Sequence, residues 1–313
     1  MLRCCPLGSI AAAVAHAQDI LFIFQTVDKN NRRLKGTNTA LMSFRQIFEK
    51  VRTYWGDKAG TWLAIDFEAW EMQHSVVTEC GWSYLRWDGN EEVEKHGHYI
   101  VKEHMTYTNG KYVPNARDKY AFGQSEILNK AMFKAKINKM ITEFQALGPL
   151  FLVFHDCNQD IKYLKSTLID APLEGLAYFL PDRIPEKGSF VIDTSELFSA
   201  LEGDVGEKRS LEKMCRLLKI PTQSMHNAGN DAQYTLIGLK AMASGNQLDK
   251  QRDERWPNQT EGSAETGSTV KVVHLPWDED SDYSDMEGAF SRPADGKLEK
   301  HLVGLAISDD DDL

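Results

Sequence analysis

Three short runs in this chain are apolar with almost no alternation, and they limit its fold more than any other feature. Trp62-Leu63-Ala64-Ile65, Leu150-Phe151-Leu152-Val153-Phe154 and Ser189-Phe190-Val191-Ile192 are short enough for strands and leave no polar face for water, so each reads as a buried strand. Helical stretches are expected between and around them: Ser125–Ala146, stopped at Gly148-Pro149, then Asn158–Ser166, Leu211–Leu218 and Asp231–Ala243. Strands separated by helices argue an α/β fold. Val76–Trp87 and His98–Met105 add two strand candidates on either side of a polar break at Asp88-Gly89-Asn90. That antiparallel-looking block in front argues a mixed central sheet of about five strands flanked by helices.

The ends read differently from the middle. Ser43–Trp55 places Phe44, Ile47, Phe48 and Val51 on one helical face, so residues 1–55 are expected to be a helical extension. Met1–Ala17 carries Arg3 and ends Ala15-His16-Ala17, which allows either a targeting segment or a frayed helix. His16, Gln18 and Asp19 interrupt the apolar run, which argues against a membrane span. Of 46 acidic and 36 basic residues, 17 and 7 lie from Asn246 onward, leaving 29 of each in residues 1–245. The net charge of -10 therefore belongs to the end of the chain, and 246–313 is expected to be an acidic, mostly disordered tail. Its two apolar islands, Val270–Trp277 and His301–Ile307, are candidate protein-binding motifs. A neutral body excludes a broad basic footprint for duplex DNA. Five scattered cysteines with no CxxC pair argue against a disulfide framework or a zinc site and suit the cytosol or nucleus.

The chemistry is carried by acids at the ends of elements. Asp66 and Glu68 close the first strand two residues apart, so they share a face. Two close carboxylates need a cation or a proton between them, and the carboxyl end of a central strand is where α/β folds place ligands. Asp160 falls in the first turn of the helix after the second buried run, and Asp231 at the start of the last helix, five residues after His226. Each alone is ordinary helix-terminus chemistry.

Together, Asp66-x-Glu68, then His155-x4-Asp160-x2-Tyr163-Leu164, then His226-Asn227-Ala228-Gly229-Asn230-Asp231-Ala232 resemble the DEDDh family of 3′–5′ exonucleases, of ribonuclease H-like fold. The resemblance spans about residues 60–245, the nuclease-like domain being placed at 56–245. It is nearest to a fungal branch described as Argonaute-interacting or mRNA-export-associated. It implies that Asp66, Glu68, Asp160 and Asp231 hold two Mg²⁺ or Mn²⁺ ions and that His226 is the general base. Oxygen ligands suit such hard ions, a pair of ions roughly 3.5–4 Å apart suits in-line displacement, and an imidazole titrating near neutrality suits water activation. The implied substrate is a single-stranded RNA or DNA 3′ end, RNA favoured. The alternative is an inactive nucleic-acid-binding adaptor in an RNA-silencing or mRNA-export complex.

Two positions depart from the pattern. Ala69 stands where many relatives carry Thr or Ser, and His155-Asp156 where many have His-Asn; Asp156 is either a fifth acid near the ions or faces away. Phe67 is expected in the core, as are Trp70 and Trp82 rather than as base-stacking groups. His74, His96, His98 and His104 are not expected as ligands. Lys130, Lys134, Lys136 and Lys139 are expected on a solvated helix face, and Cys157 as a small buried side chain.

Overall fold

A computed structural model describes residues 39–206, 208–262 and 270–274. Its centre is a six-stranded mixed sheet in the order β4-β3-β2-β1-β5-β6. The strands are β1 (Thr61–Ala69), β2 (Val77–Asp88), β3 (Glu91–Val101), β4 (Ser125–Leu128), β5 (Leu150–Phe154) and β6 (Ser189–Asp193). β1, β2 and β3 form an antiparallel meander, whereas β4, β5 and β6 join in parallel.

The three apolar runs are the three adjacent strands β1, β5 and β6, buried on both faces. Their alternation sorts two cores. Trp62 and Ala64 of β1 pack on one face with Phe48, Trp55, Leu197 and Leu239, and Leu63, Ile65 and Phe67 on the other with Phe133, Ile137 and Ile161. The first core is covered by α1 (Thr39–Gly56), α4 (Thr194–Glu202), α5 (Leu211–Leu217) and α6 (Ala228–Ala243). The second is covered by α2 (Lys130–Leu147) and α3 (Asn158–Leu164).

Several boundaries differ from the sequence expectation. Ser125–Leu128 is not the start of a helix but the edge strand β4, and α2 begins at Lys130, capped by the Asn129 side chain accepting from the Met132 N–H. This adds a sixth strand to the expected five. β3 starts at Glu91 and gives way to a 3₁₀ turn at Lys102–His104 instead of running to Met105. α1 packs into the first core through Phe48, Val51, Tyr54 and Trp55.

The chain is also ordered beyond Asn246, against the expectation of an unstructured tail there. Leu248–Arg255 forms α7 and Thr260–Glu261 pairs with Lys271–Val272 (β7, β8). α7 is almost wholly polar, and buried polar contacts fasten it. Asp249 takes both arms of the Arg45 guanidinium, at 2.9 and 2.6 Å, and Arg252 donates to the carbonyls of Ala200 and Leu201. The possible targeting segment at 1–17, residues 275–277 of the island at 270–277 and all of 301–307 lie outside the described residues.

Candidate active site

β1 alternation carries directly into the site. Asp66 and Glu68 continue the row begun by Trp62 and Ala64, so they lie on the α6 side of the sheet, while Phe67 turns to the other face and packs on Tyr163. From α6 comes Asp231. Carboxylate oxygens of Asp66, Glu68 and Asp231 all lie within 4.8 Å of one another, with Asp66 and Glu68 half-buried and Asp231 buried.

α6 can come this close because of two glycines. A Cβ on Gly81 of β2 would stand 1.7 Å from the Ala228 carbonyl oxygen, and one on Gly229 would stand 2.6 Å from the Tyr120 ring. The helix begins at Ala228, three residues earlier than expected, because Asn227 rather than Asp231 is its cap. Asp231 instead turns back, its Oδ2 accepting the His226 N–H at 2.9 Å. His226 is held in the left-handed region with φ 62°, a conformation that costs a non-glycine residue energy. The carboxylate thus fixes the backbone of the histidine expected to serve as base.

Asp160 arrives from the first turn of α3. Its Oδ1 accepts the N–H of Phe67, the residue between Asp66 and Glu68, at 3.1 Å. It is buried, and burial first, then the charge of Asp66, push its carboxyl well above the usual range. Asp160 is thus a fourth acid whose ionisation is opposed by burial and by the charge of Asp66, and it is not one of the three clustered acids.

A fifth acid, Asp193, closes β6 in the Asp193-Thr194 pair, which also belongs to the resemblance to the DEDDh family. Its carboxylate accepts the N–H groups of Asp156 and Cys157 at 3.1 Å each and caps α4 at Ser195 N–H, 2.9 Å. It therefore shapes the turn that launches α3 and Asp160. Burial would raise its pKa, but Lys208, Ser195 and His155 outweigh that and hold it below the ordinary carboxylate range. Asp156 sits at φ 60° and pairs with Lys208 at 3.1 Å; it is engaged there and is not one of the clustered acids. His155 bridges Thr194 Oγ1 and the Arg209 carbonyl, and burial lowers its pKa. Cys157 is half-buried, and burial, then Asp193, push its thiol to about 12.

The other expectations fall as follows. Trp82 packs against Tyr84 and Tyr99, whereas Trp70 is half-buried against Tyr107. His96 contacts the Phe122 carbonyl, His98 pairs with Glu79 at 3.0 Å and His104 contacts the Val77 carbonyl; His74 lies in an exposed turn. Lys134, Lys136 and Lys139 reach Asp170, Glu126 and Glu143 from the exposed side of α2. Ala69 is buried and its carbonyl accepts from Asn109.

Sequence inspection missed the strap between β3 and β4, residues 105–124. Asn227 Nδ2 donates to the carbonyls of Ala116 and Arg117. Asn230 accepts from Ala121 N–H and donates to the Lys119 carbonyl. The two asparagines of the His-Asn-Ala-Gly-Asn-Asp-Ala string are fully buried and bolt this strap to the start of α6. No pattern in the strap itself signals it.

The group of acids fits a divalent cation by its chemistry: three converging carboxylates repel unless charge is supplied, and oxygen donors suit a hard ion. The comparisons agree with the geometry. Residues 61–242 match a DEDDh family model described as DNA polymerase III subunit epsilon-like, C-terminal domain. An uncharacterized nucleolar protein of Schizosaccharomyces pombe is 30% identical over 226 residues, covering 70% of this chain and 80% of that protein. The Good for full DBP5 activity protein 2 of Saccharomyces cerevisiae is 30% identical over 194 residues, covering 56% of this chain but 34% of that protein. The RNase domain of the yeast Pop2 protein aligns at a TM-score of 0.35 and 9% identity, over 64% of this chain and 82% of that one. A six-stranded mixed sheet of this topology, the ordered acids and the match over most of the domain carry one conclusion: this chain belongs to the DEDDh exonuclease family, with its ribonuclease H-like fold.

Proposed function

We propose that this protein is a metal-dependent 3′–5′ exonuclease that trims single-stranded nucleic acid, RNA in preference to DNA. The observation that carries the reading is the convergence of Asp66, Glu68 and Asp231 within 4.8 Å. Asp66, Glu68, Asp160 and Asp231 would hold two Mg²⁺ or Mn²⁺ ions. When bound, such ions offset the acidic charge and stabilise the attacking and leaving oxygens of an in-line phosphodiester displacement.

The chain's own groups have separate tasks. Asp231 bonds the His226 backbone and so positions the imidazole, which would take the proton of the attacking water. Asp160 bonds the Phe67 N–H and holds the end of β1 so that Asp66 and Glu68 stay on one side. Asp193 sets the turn before Asp160. A cytoplasmic or nuclear site of action suits a single-stranded RNA substrate, and no described helix is long and apolar enough to cross a membrane. A protein partner for the acidic terminal residues belongs to the same reading.

The test uses matched RNA and DNA oligonucleotides, each with a free or blocked 3′ end, in Mg²⁺, in Mn²⁺ and with chelator. Ladder-wise loss from free 3′ ends, abolished by chelation and by His226→Ala, is the expected result. Binding without cleavage under every metal condition would favour the adaptor role; cleavage unaffected by the 3′ block would refute the direction.

A further inference from the structure

The strap that the two asparagines clamp also presents a surface beside the acids. Its near end is tied to the end of β1. Asn109 accepts the Glu71 N–H at 2.9 Å and donates to the Ala69 carbonyl at 3.0 Å. The Glu71 carboxylate in turn accepts the N–H groups of Lys111, Tyr112 and Val113, at 2.8, 2.9 and 3.1 Å. Its far end is tied to α6 through Asn227 and Asn230. From beneath, the buried Arg117 guanidinium, itself paired with Glu79, donates to the carbonyls of Met105 and Tyr107. One anchor is one residue from Glu68 and the other is four residues before Asp231, so the strap borders the acid cluster.

What this rigid loop exposes is unusual for a surface. Tyr112 is 50% exposed, Met105 44% and Tyr107 36%, and Met72 next to the Glu71 anchor is 53% exposed. Trp70 lies against Tyr107 with ring centroids 5.0 Å apart, and Lys111 Nζ sits 4.6 Å above the Tyr112 ring. Large apolar groups exposed on one short loop mark a candidate binding surface. Of the strap's charged side chains Lys111, Asp118 and Lys119 are exposed, while Arg117 is buried against Glu79, so two lysines stand near carboxylates that would otherwise repel a phosphate chain. Flat π-faces held in place with interspersed lysines fit unstacked bases and their phosphates.

We propose that Tyr107 and Tyr112, backed by Trp70 and Lys111, form a stacking platform for the nucleobases of single-stranded substrate next to the acid cluster. This rests on the nuclease reading for its position along the substrate, but not for its binding chemistry. Because the backbone is already fixed by Glu71, Asn109 and Arg117, ordering costs little on binding.

The test compares the full-length chain with Tyr107→Ala/Tyr112→Ala and Tyr107→Phe/Tyr112→Phe. Two measurements are made: binding of a fluorescein-labelled oligo(U)12 by anisotropy in Ca²⁺, and steady-state degradation of the same oligomer in Mg²⁺. The double alanine variant is expected to weaken binding about tenfold, within the range for loss of base stacking, and to raise KM rather than lower kcat. The phenylalanine pair, which keeps the rings, restores both. The melting temperature serves as the folding control, since both tyrosines are exposed. Tight binding and normal KM in the alanine variant overturn the platform while leaving the nuclease standing. Tyrosine-dependent binding without any cleavage keeps the platform and overturns the nuclease. Absence of oligonucleotide binding by the parent chain overturns both.

Discussion

Replacing Asp66 by Asn should stabilise the metal-free protein while removing the proposed nuclease activity. Asp66 shares the cluster with Glu68 and Asp231. Two unit charges at that 4.8 Å limit repel by about 1 kcal/mol in water-like surroundings and by about 3.5 kcal/mol at an effective dielectric near 20. The substitution relieves two such pairs, so the unscreened repulsion removed is about 2–7 kcal/mol at that limiting distance. Asp66 and Glu68 are half-buried, and solvent and salt screen them, so the net gain expected is about 1–3 kcal/mol. For a domain of this size that is a rise in Tm of about 2–12 °C. The assay is thermal unfolding of parent and variant in chelator, repeated across a Mn²⁺ titration. The parent should gain stability with Mn²⁺ by mass action, and the variant should gain less, so the two curves converge or cross. A variant less stable than the parent in chelator, or a parent indifferent to Mn²⁺, would refute the idea that these carboxylates are held together at a cost that a cation offsets.

Two further outcomes follow from the supports of the site. Asp193→Ala strips four bonds from a buried carboxylate and should cost about 3–5 kcal/mol near neutral pH, measured by urea unfolding. Because Asp193 is held below its ordinary pKa, its ionised form favours folding above the unfolded-state value of about 3.9. The difference between parent and variant should therefore shrink as pH falls below that value towards the lower native one. Gly81→Ala would drive a methyl into the Ala228 carbonyl and should destabilise by about 1–3 kcal/mol or more, with cleavage lost because Asp231 is displaced. Wild-type activity in Gly81→Ala would show that the start of α6 is not fixed by that contact.

How much of this was legible in the chain depended on where the information was local. β5 is legible because five apolar residues, too few for a helix and preceded by Gly148-Pro149, leave no face for water. β4 was mistaken for helix because Ser125-Glu126 imitates a helix start, while the true cap is Asn129, whose bond to Met132 N–H only the coordinates reveal. The first half of β3, Glu91–Lys95, is nearly all charged and exposed; it is a strand because β2 pairs with it, which no periodicity shows. α7 lacks an apolar stripe altogether and is held by Arg45 and by backbone carbonyls far away in sequence. In the site, the shared face of Asp66 and Glu68 is legible from strand alternation, whereas Asp160 and Asp231 are pointed to by the resemblance to the DEDDh family. The roles of Asp193, Asn227 and Asn230 are not legible, because each acts on backbone brought close only by folding.

Asp231 reaches the cluster from a helix that follows almost all of the sheet in the chain, whereas Asp66 and Glu68 are made early. During synthesis the first two acids emerge well before the third, and nothing upstream can substitute for it. A nascent chain from which α6 has not yet emerged, or a folded one whose α6 has peeled away, would therefore carry an incomplete set. Under the proposed reading, activity would begin only once α6 had docked on the sheet.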